Sequence, residues 1–270
     1  PPTVTQSLIR EIELMKSLYH EGIPVPHVLE YDPTYENPLG HPFMIMERLE
    51  GTNLLEAAGN LNKTQTGNLL RDTARTLYRI HRVNTTNLKV MKFTTLKSFI
   101  DSGISNIRRF AAFSHMRNFE KFENWMQKNR PSETTYNKAL IHNDFHPFNI
   151  MVSGESLSGI LDWVDAIVGE VQVDVALFSL LAEAAGYPEL ARTFVSAYQQ
   201  VSGLPLREID FYVTALAIQK LIQIPLQKKQ MEDTGQREKA ELLSSLQSRL
   251  EKNLMRIIKE NTGLYLHDFQ

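Results

Sequence analysis

The stretch Leu140-Ile141-His142-Asn143-Asp144-Phe145-His146-Pro147-Phe148-Asn149-Ile150-Met151-Val152, continuing through Ser153-Gly154-Glu155-Ser156 to Ile160-Leu161-Asp162-Trp163-Val164-Asp165, decides how this chain is read. It crowds His142, Asp144, His146, Asn149, Asp162 and Asp165 between strongly apolar flanks. Ile150-Met151-Val152 is one apolar run, Ile160-Leu161 closes another, and the turn-forming residues between them predict a β-hairpin. In a hairpin the start of the first strand lies beside the end of the second. Asn149 is therefore expected next to Asp162, with Asp144 one short loop away. One carboxylate to orient a hydroxyl, with an amide and a second carboxylate to hold a divalent cation on nucleotide phosphates, is the set that phosphoryl transfer requires.

Asp144 and Asn149 are spaced as in the D-x-x-x-x-N catalytic loop of protein kinases. The string from His142 to Asn149, followed by Ile160-Leu161-Asp162-Trp163, resembles the aminoglycoside phosphotransferase and choline kinase-like family, whose usual form is close to H-G-D-x-H-x-x-N with I-D-W downstream. Asn143 stands where that family usually has glycine, and Phe148 stands where glycine is common just before the metal-binding asparagine. The resemblance implies an α+β, protein kinase-like fold, with a mostly helical large lobe around the catalytic hairpin and a truncated small lobe. Residues 1–50 would be the remnant of the small, nucleotide-binding lobe and 51–270 the large lobe with the acceptor site. It also implies a phosphotransferase that moves the terminal phosphate of Mg²⁺-bound ATP or GTP to a small-molecule hydroxyl. Asp144 would be the catalytic aspartate, and Asn149 and Asp162 the Mg²⁺ ligands. His142 and His146 would pack and hydrogen-bond the loop, and Asp174 would brace it by accepting backbone N–H groups.

Composition sets the outer bounds. The 270 residues are 42% hydrophobic and 22% charged, ordinary for a globular protein, with no internal repeat. A net charge of −2 offers no field for nucleic acid or an anionic membrane surface. No apolar run approaches the roughly 18 residues of a membrane span. The absence of cysteine excludes disulfides and thiolate metal sites and fits a cytoplasmic location.

Upstream of the hairpin, Gln6–His20 has helical periodicity, with Thr5 as its expected N-cap and Gly22 as its stop. Val28-Leu29 opens a strand, and Phe43-Met44-Ile45-Met46 reads as a buried one ending at Glu47-Arg48-Leu49-Glu50-Gly51. The resemblance makes Glu11 the partner of a phosphate-binding lysine, Met46 the back of an adenine pocket, and the Glu47 and Leu49 backbones its hydrogen-bonding edge. Glu11 reads equally well as a solvated helix position. No glycine precedes Gly22 and no lysine precedes Glu11. A phosphate-covering glycine loop and its lysine are thus lacking, and the chain is expected to be a fragment with little activity alone.

Further helices are expected from Thr64, as N-cap, to His81, through most of Leu96–Asn129, and at Leu190–Val201, Arg207–Ile224 and Lys239–Glu260, the last with Leu242, Leu243, Leu246, Leu250, Leu254 and Ile258 on one face. His81 reads as a packed core histidine or as the Leu-His ending common in the family. Val171–Ala185 is an apolar run broken by Asp174. Between Met91 and Arg130, Asp101, Glu120 and Glu123 face a surplus of basic residues, among them Lys97, Arg108, Arg117, Lys121 and Arg130. That balance suits a neutral or anionic hydroxyl compound better than a polycation, unless those side chains lie on a solvated face. Two other readings of the cluster stand beside the kinase-like one. His142-x-Asp144-x-His146 could hold a divalent metal in a hydrolase, or the chain could be an inactive kinase-like binding protein.

Overall fold

Thr3 begins the ordered architecture as an N-cap: its side chain accepts from the Gln6 N–H while the Gln6 side chain accepts from the Thr3 N–H. This capping box starts helix α1 (Val4–His20), two residues earlier than a Thr5 cap would. The computed structural model describes residues 3–113, 119–233 and 237–264, without the side chains of 225–247. Arg117 and the side chains of Leu242, Leu243 and Leu246 therefore lie outside the described residues.

In chain order, α1 is followed by strands β1 (Val28–Asp32) and β2 (Phe43–Met46), then β3 (Thr52–Asn53). Helices α2 (Leu54–Asn60), α3 (Lys63–His81), α4 (Leu96–Phe113) and α5 (Phe119–Lys128) come next. Strands β4 (Lys138–Ile141), β5 (Ile150–Ser153), β6 (Ser156–Ile160) and β7 (Ile167–Glu170) precede helices α6 (Gln172–Ala184), α7 (Pro188–Ser202), α8 (Ile209–Asp233) and α9 (Arg237–Thr262). The order is α+β. α3 starts at Asn62, whose side chain caps the Thr64 and Gln65 N–H groups, not at Thr64. α2, β4 and β7 carry no period long enough to be read from the sequence. No described helix is long and apolar enough to cross a membrane.

The chain divides into two compact units. One unit comprises residues 1–92, 137–175 and 193–205. It contains three small antiparallel sheets: β1–β2, β3–β5–β6 and β4–β7. The β5–β6 hairpin pairs Ile150 with Ile160 and Ser153 with Ser156, and Gly154 takes the positive φ of 62° that its two-residue turn requires. Leu18, Leu54, Leu77, Ile80, Leu140, Phe145, Ile150 and Ile160 form its core. The β1–β2 sheet is less covered than expected. Ile45 is 50% and Met46 42% exposed, so β2 is not a buried strand; β1 is its only partner strand among the described residues.

The other unit comprises residues 93–136, 176–192 and 206–270. It is helical, and α8 packs on α9 and α4. Trp125 of α5 stacks on Phe211 of α8, with ring centroids 6.0 Å apart. Glu133 accepts from the Leu96 and Lys97 N–H groups at 2.9 and 2.6 Å, placing a carboxylate on the amide end of α4. Two of the acidic side chains of this segment are held in ion pairs. Asp101 pairs with Lys97 and Arg130, which hold its carboxyl down at about 2, and Arg108 pairs with Glu123.

Candidate active site

β4 delivers the chain to His142 and β5 takes it up again at Ile150, so residues 142–149 form a loop between strands of two different sheets. Asp174, in the first turn of α6, is fully buried. Its Oδ2 accepts from the His142 N–H and its Oδ1 from the Asn143 N–H, both at 2.8 Å. His81 Nε2 lies 3.1 Å from Oδ2. A carboxylate out of water needs such donors, and the two amides need an acceptor once they leave a strand ladder. The geometry costs backbone strain. Asn143 is held at φ 65°, in the left-handed region that glycine tolerates best and asparagine next. That accounts for an asparagine at a glycine position, and its Nδ2 adds a bond to the Asp165 carbonyl at 3.2 Å.

His142 is fully buried and joins the two ends of the hairpin. Its Nε2–H donates to the Leu161 carbonyl at 2.9 Å, and its Nδ1 accepts from the Asp144 N–H at 3.3 Å. Burial pushes its pKa down, so the ring is neutral and both nitrogens are engaged. With both nitrogens bonded inside the fold, His142 presents no lone pair to a metal shared with Asp144 and His146. Among the described residues no group of three or more His, Cys, Asp or Glu is placed to hold a metal ion. The His142 ring rests on buried Trp163, with centroids 4.5 Å apart, and Trp163 Nε1 donates to the Ile160 carbonyl.

The half-buried Asp144 carboxylate is oriented from two sides. Asn149 Nδ2 donates to its Oδ2 at 3.2 Å and to its backbone carbonyl at 3.1 Å, and His146 Nε2 stands 3.2 Å from the same Oδ2. The Asn149 carbonyl accepts from the Leu161 N–H at 2.9 Å, which extends the hairpin register by one step and sets Asp162 just beyond it. With Nδ2 committed to Asp144, the Asn149 side-chain oxygen is the atom left for another partner. Asp162 is exposed and also left-handed, at φ 64°. Its partner oxygen on Asn149 and its own carboxylate are hard donors that suit Mg²⁺ completed by phosphate and water oxygens. Phe148 packs edge-on to the His146 ring, at 5.8 Å.

Glu11 reaches this end of the hairpin from α1. Its Oε1 accepts from the Trp163 N–H at 3.2 Å. Burial, then the nearby Asp162 and Asp165 charges, push its carboxyl up. Among the described residues it has no ion-pair partner. Met46 ends β2, and the N–H of the following Glu47 donates to the His27 carbonyl at 2.8 Å. Leu49 lies against Gly159 of β6, and Ser158 Oγ donates to the Glu50 carbonyl at 2.8 Å, so the segment after β2 is tied to the hairpin. Sequence reasoning passed over Tyr198 and Glu170, both fully buried polar residues, because each sits in an apolar pattern that packing alone explains.

The profile of the phosphotransferase enzyme family matches residues 1–212. This chain belongs to that family. Its fold is that of aminoglycoside phosphotransferases of known structure, the protein kinase-like fold. A Ralstonia eutropha protein assigned as an aminoglycoside phosphotransferase superposes with a TM-score of 0.69 at 16% identity, covering 93% of this chain and 83% of that one. The GDP complex of aminoglycoside 2'-phosphotransferase-IIIa superposes with a TM-score of 0.64 at 16% identity, over 96% and 82% of the two chains. Among curated sequences the chain is 26% identical over 179 residues to acyl-CoA dehydrogenase family member 10 of Mus musculus. It is 23% identical over 177 residues to acyl-CoA dehydrogenase family member 11 of Rattus norvegicus. Those matches take in 64% and 63% of this chain but only 16% and 22% of the two relatives.

Proposed function

We infer that this family member transfers the terminal phosphate of a nucleoside triphosphate, ATP or GTP, to a hydroxyl of a small molecule. The observation that carries the reading is the Asp144–Asn149 pair, fixed at 3.2 Å by a loop whose backbone is pinned to buried Asp174 and whose Asn149 carbonyl accepts from the N–H of Leu161, the residue before Asp162. Asp144 orients the acceptor hydroxyl and takes its proton as the new oxygen–phosphorus bond forms and the diphosphate leaves. Asn149 and Asp162 would hold Mg²⁺, which when bound neutralises phosphate charge. Because these groups are set before substrate arrives, little reorganisation remains for the chemical step. The β2 end supplies the nucleotide side: Met46 as an apolar wall and the Glu47 carbonyl with the Leu49 backbone as the adenine or guanine edge. Solved relatives with ATP and streptomycin, and with GDP and kanamycin, support a nucleotide and a hydroxyl acceptor.

The acceptor is a neutral or anionic compound. Asp101 and Glu123 are already paired with basic neighbours, so that segment offers no acidic surplus to a polycation. Asp144→Ala tests the reading. Nucleotide-dependent phosphorylation, screened over sugars, hydroxylated amino acids, choline and aminoglycosides, should fall roughly 10²–10⁴-fold. Binding of the Mg²⁺-nucleotide, measured by calorimetry, should persist. Unchanged turnover would remove Asp144 from the reaction, and nucleotide binding without any turnover in the unaltered protein would favour an inactive binding protein.

A further inference from the structure

Asp174 is not the last member of the buried chain beneath the catalytic loop. His81, at the end of α3, bridges Asp174 to Tyr198 of α7: Nε2 lies 3.1 Å from Asp174 Oδ2 and Nδ1 lies 2.6 Å from Tyr198 Oη. His81 and Tyr198 are buried, Tyr198 completely, and the two rings meet edge to face at 5.6 Å. One helical turn earlier on α7, Phe194 stacks on Phe145, the residue that follows Asp144, with centroids 6.1 Å apart. Residues four apart share a helix face. A single face of α7 therefore meets the loop twice, once through an aromatic contact and once through a hydrogen-bonded relay.

The chemistry of the relay fixes its protons. A carboxylate only accepts, so the hydrogen between His81 and Asp174 sits on Nε2. Burial and the Asp174 charge push the Tyr198 hydroxyl up, so it keeps its proton. The Tyr198 hydroxyl meets Nδ1, the other polar atom of the ring. Removing it leaves Nδ1 as a buried polar atom without that partner, which the ring can relieve only by turning. A turned ring carries Nε2 away from Asp174 Oδ2 and lets the carboxylate shift from the His142 N–H.

We propose that Tyr198 is a positioning residue of the phosphotransfer site: through His81 it holds Asp174 in the geometry that pins the His142 and Asn143 amides, and so aims Asp144. The proposal rests on the phosphotransferase reading for its catalytic consequence alone. Tyr198→Phe keeps the ring and its packing and removes only the hydroxyl. In that variant the ring ¹⁵N resonances of His81 should shift as its Nδ1 loses the hydroxyl partner. Hydrogen exchange at the His142 and Asn143 amides should quicken about tenfold, with β5–β6 amides unchanged. The turnover number should fall roughly ten- to a hundredfold at constant nucleotide KM. An unchanged imidazole state with unchanged amide exchange would overturn the relay. Should the variant fail to fold, the wild-type spectrum decides: a proton on Nε2 bonded to Asp174 is required, and an Nε2 without a proton overturns the proposal. If the chain proves not to be a phosphotransferase, turnover is absent from the unaltered protein too, while the imidazole and exchange measurements still decide the relay.

Discussion

The loop from His142 to Asn149 and the sheet of β1 and β2 both belong to the first compact unit, and both are assigned to the proposed site, yet they are held in opposite ways. The loop has two backbone amides on Asp174, a histidine with both nitrogens engaged, and a carboxylate oriented by Asn149 and His146. The sheet has two strands, a register shift between Val28 and Glu30, and Leu29, Ile45 and Met46 at 59%, 50% and 42% exposure. A group that must meet a transition state gains from being fixed beforehand. A surface that meets a planar base needs only to be apolar and near. Local stability follows the same division, since few buried contacts means cheap local opening.

The sharpest way to break this contrast is to remove its anchor. Asp174→Ala strands two amides and the His81 nitrogen in the interior, and denaturant unfolding should show a loss of about 3–5 kcal/mol. A loss below 1 kcal/mol would mean the loop holds itself.

Glu170, at the end of β7, tests the anchored region differently. It is fully buried, accepting from the Asn137 N–H at 2.8 Å and the Gln172 N–H at 3.2 Å, and burial lifts its pKa from 4.5 to about 7. A raised carboxyl binds its proton more tightly folded than unfolded. Its contribution is therefore complete below pH 4.5 and is lost as pH rises to about 7, by roughly 3 kcal/mol. Unfolding curves from pH 5 to pH 8 should show that decline in the unaltered protein and much less of it in Glu170→Gln.

Smaller effects separate backbone strain from side-chain bonding. At Asn143 a left-handed residue with a Cβ is required to bend, so Asn143→Ala should cost about 1–2 kcal/mol while Asn143→Gly stays within about 0.5 kcal/mol. Equal costs for both would assign the residue's value to its bond with Asp165. Least of all, Met46→Ala should change stability by less than about 0.5 kcal/mol, as its side chain is largely exposed, while weakening nucleotide binding measured by calorimetry.

How much of this was legible in the residues also divides along the two regions. Local signals announced the hairpin and its turn at Gly154, because two short apolar runs flank a turn-forming sequence; the register shift between Met151 and Val152 was not among them. The exposure of β2 was not legible: Phe43-Met44-Ile45-Met46 has the composition of a buried strand, and what covers a strand is a tertiary fact. Nor could β4 and β7 be read, four residues each and separated by the whole hairpin. His81 looked like a core residue and is buried as one. Only the fold reveals that its two nitrogens join α3 to α6 and α7. Asn143 shows the converse. It departed from the family pattern in sequence, and its φ of 65° shows that the backbone demand is the same and is met by the next most tolerant side chain.

The open sheet has a consequence for handling the protein. A two-stranded ribbon leaves backbone donors and acceptors along its edges, and here they lie beside apolar side chains that face water. Concentrated solutions of this chain will therefore be limited by sticking at β1 and β2 well before unfolding sets in. Sedimentation at increasing concentration, with and without a charge placed at Ile45, reads that limit directly.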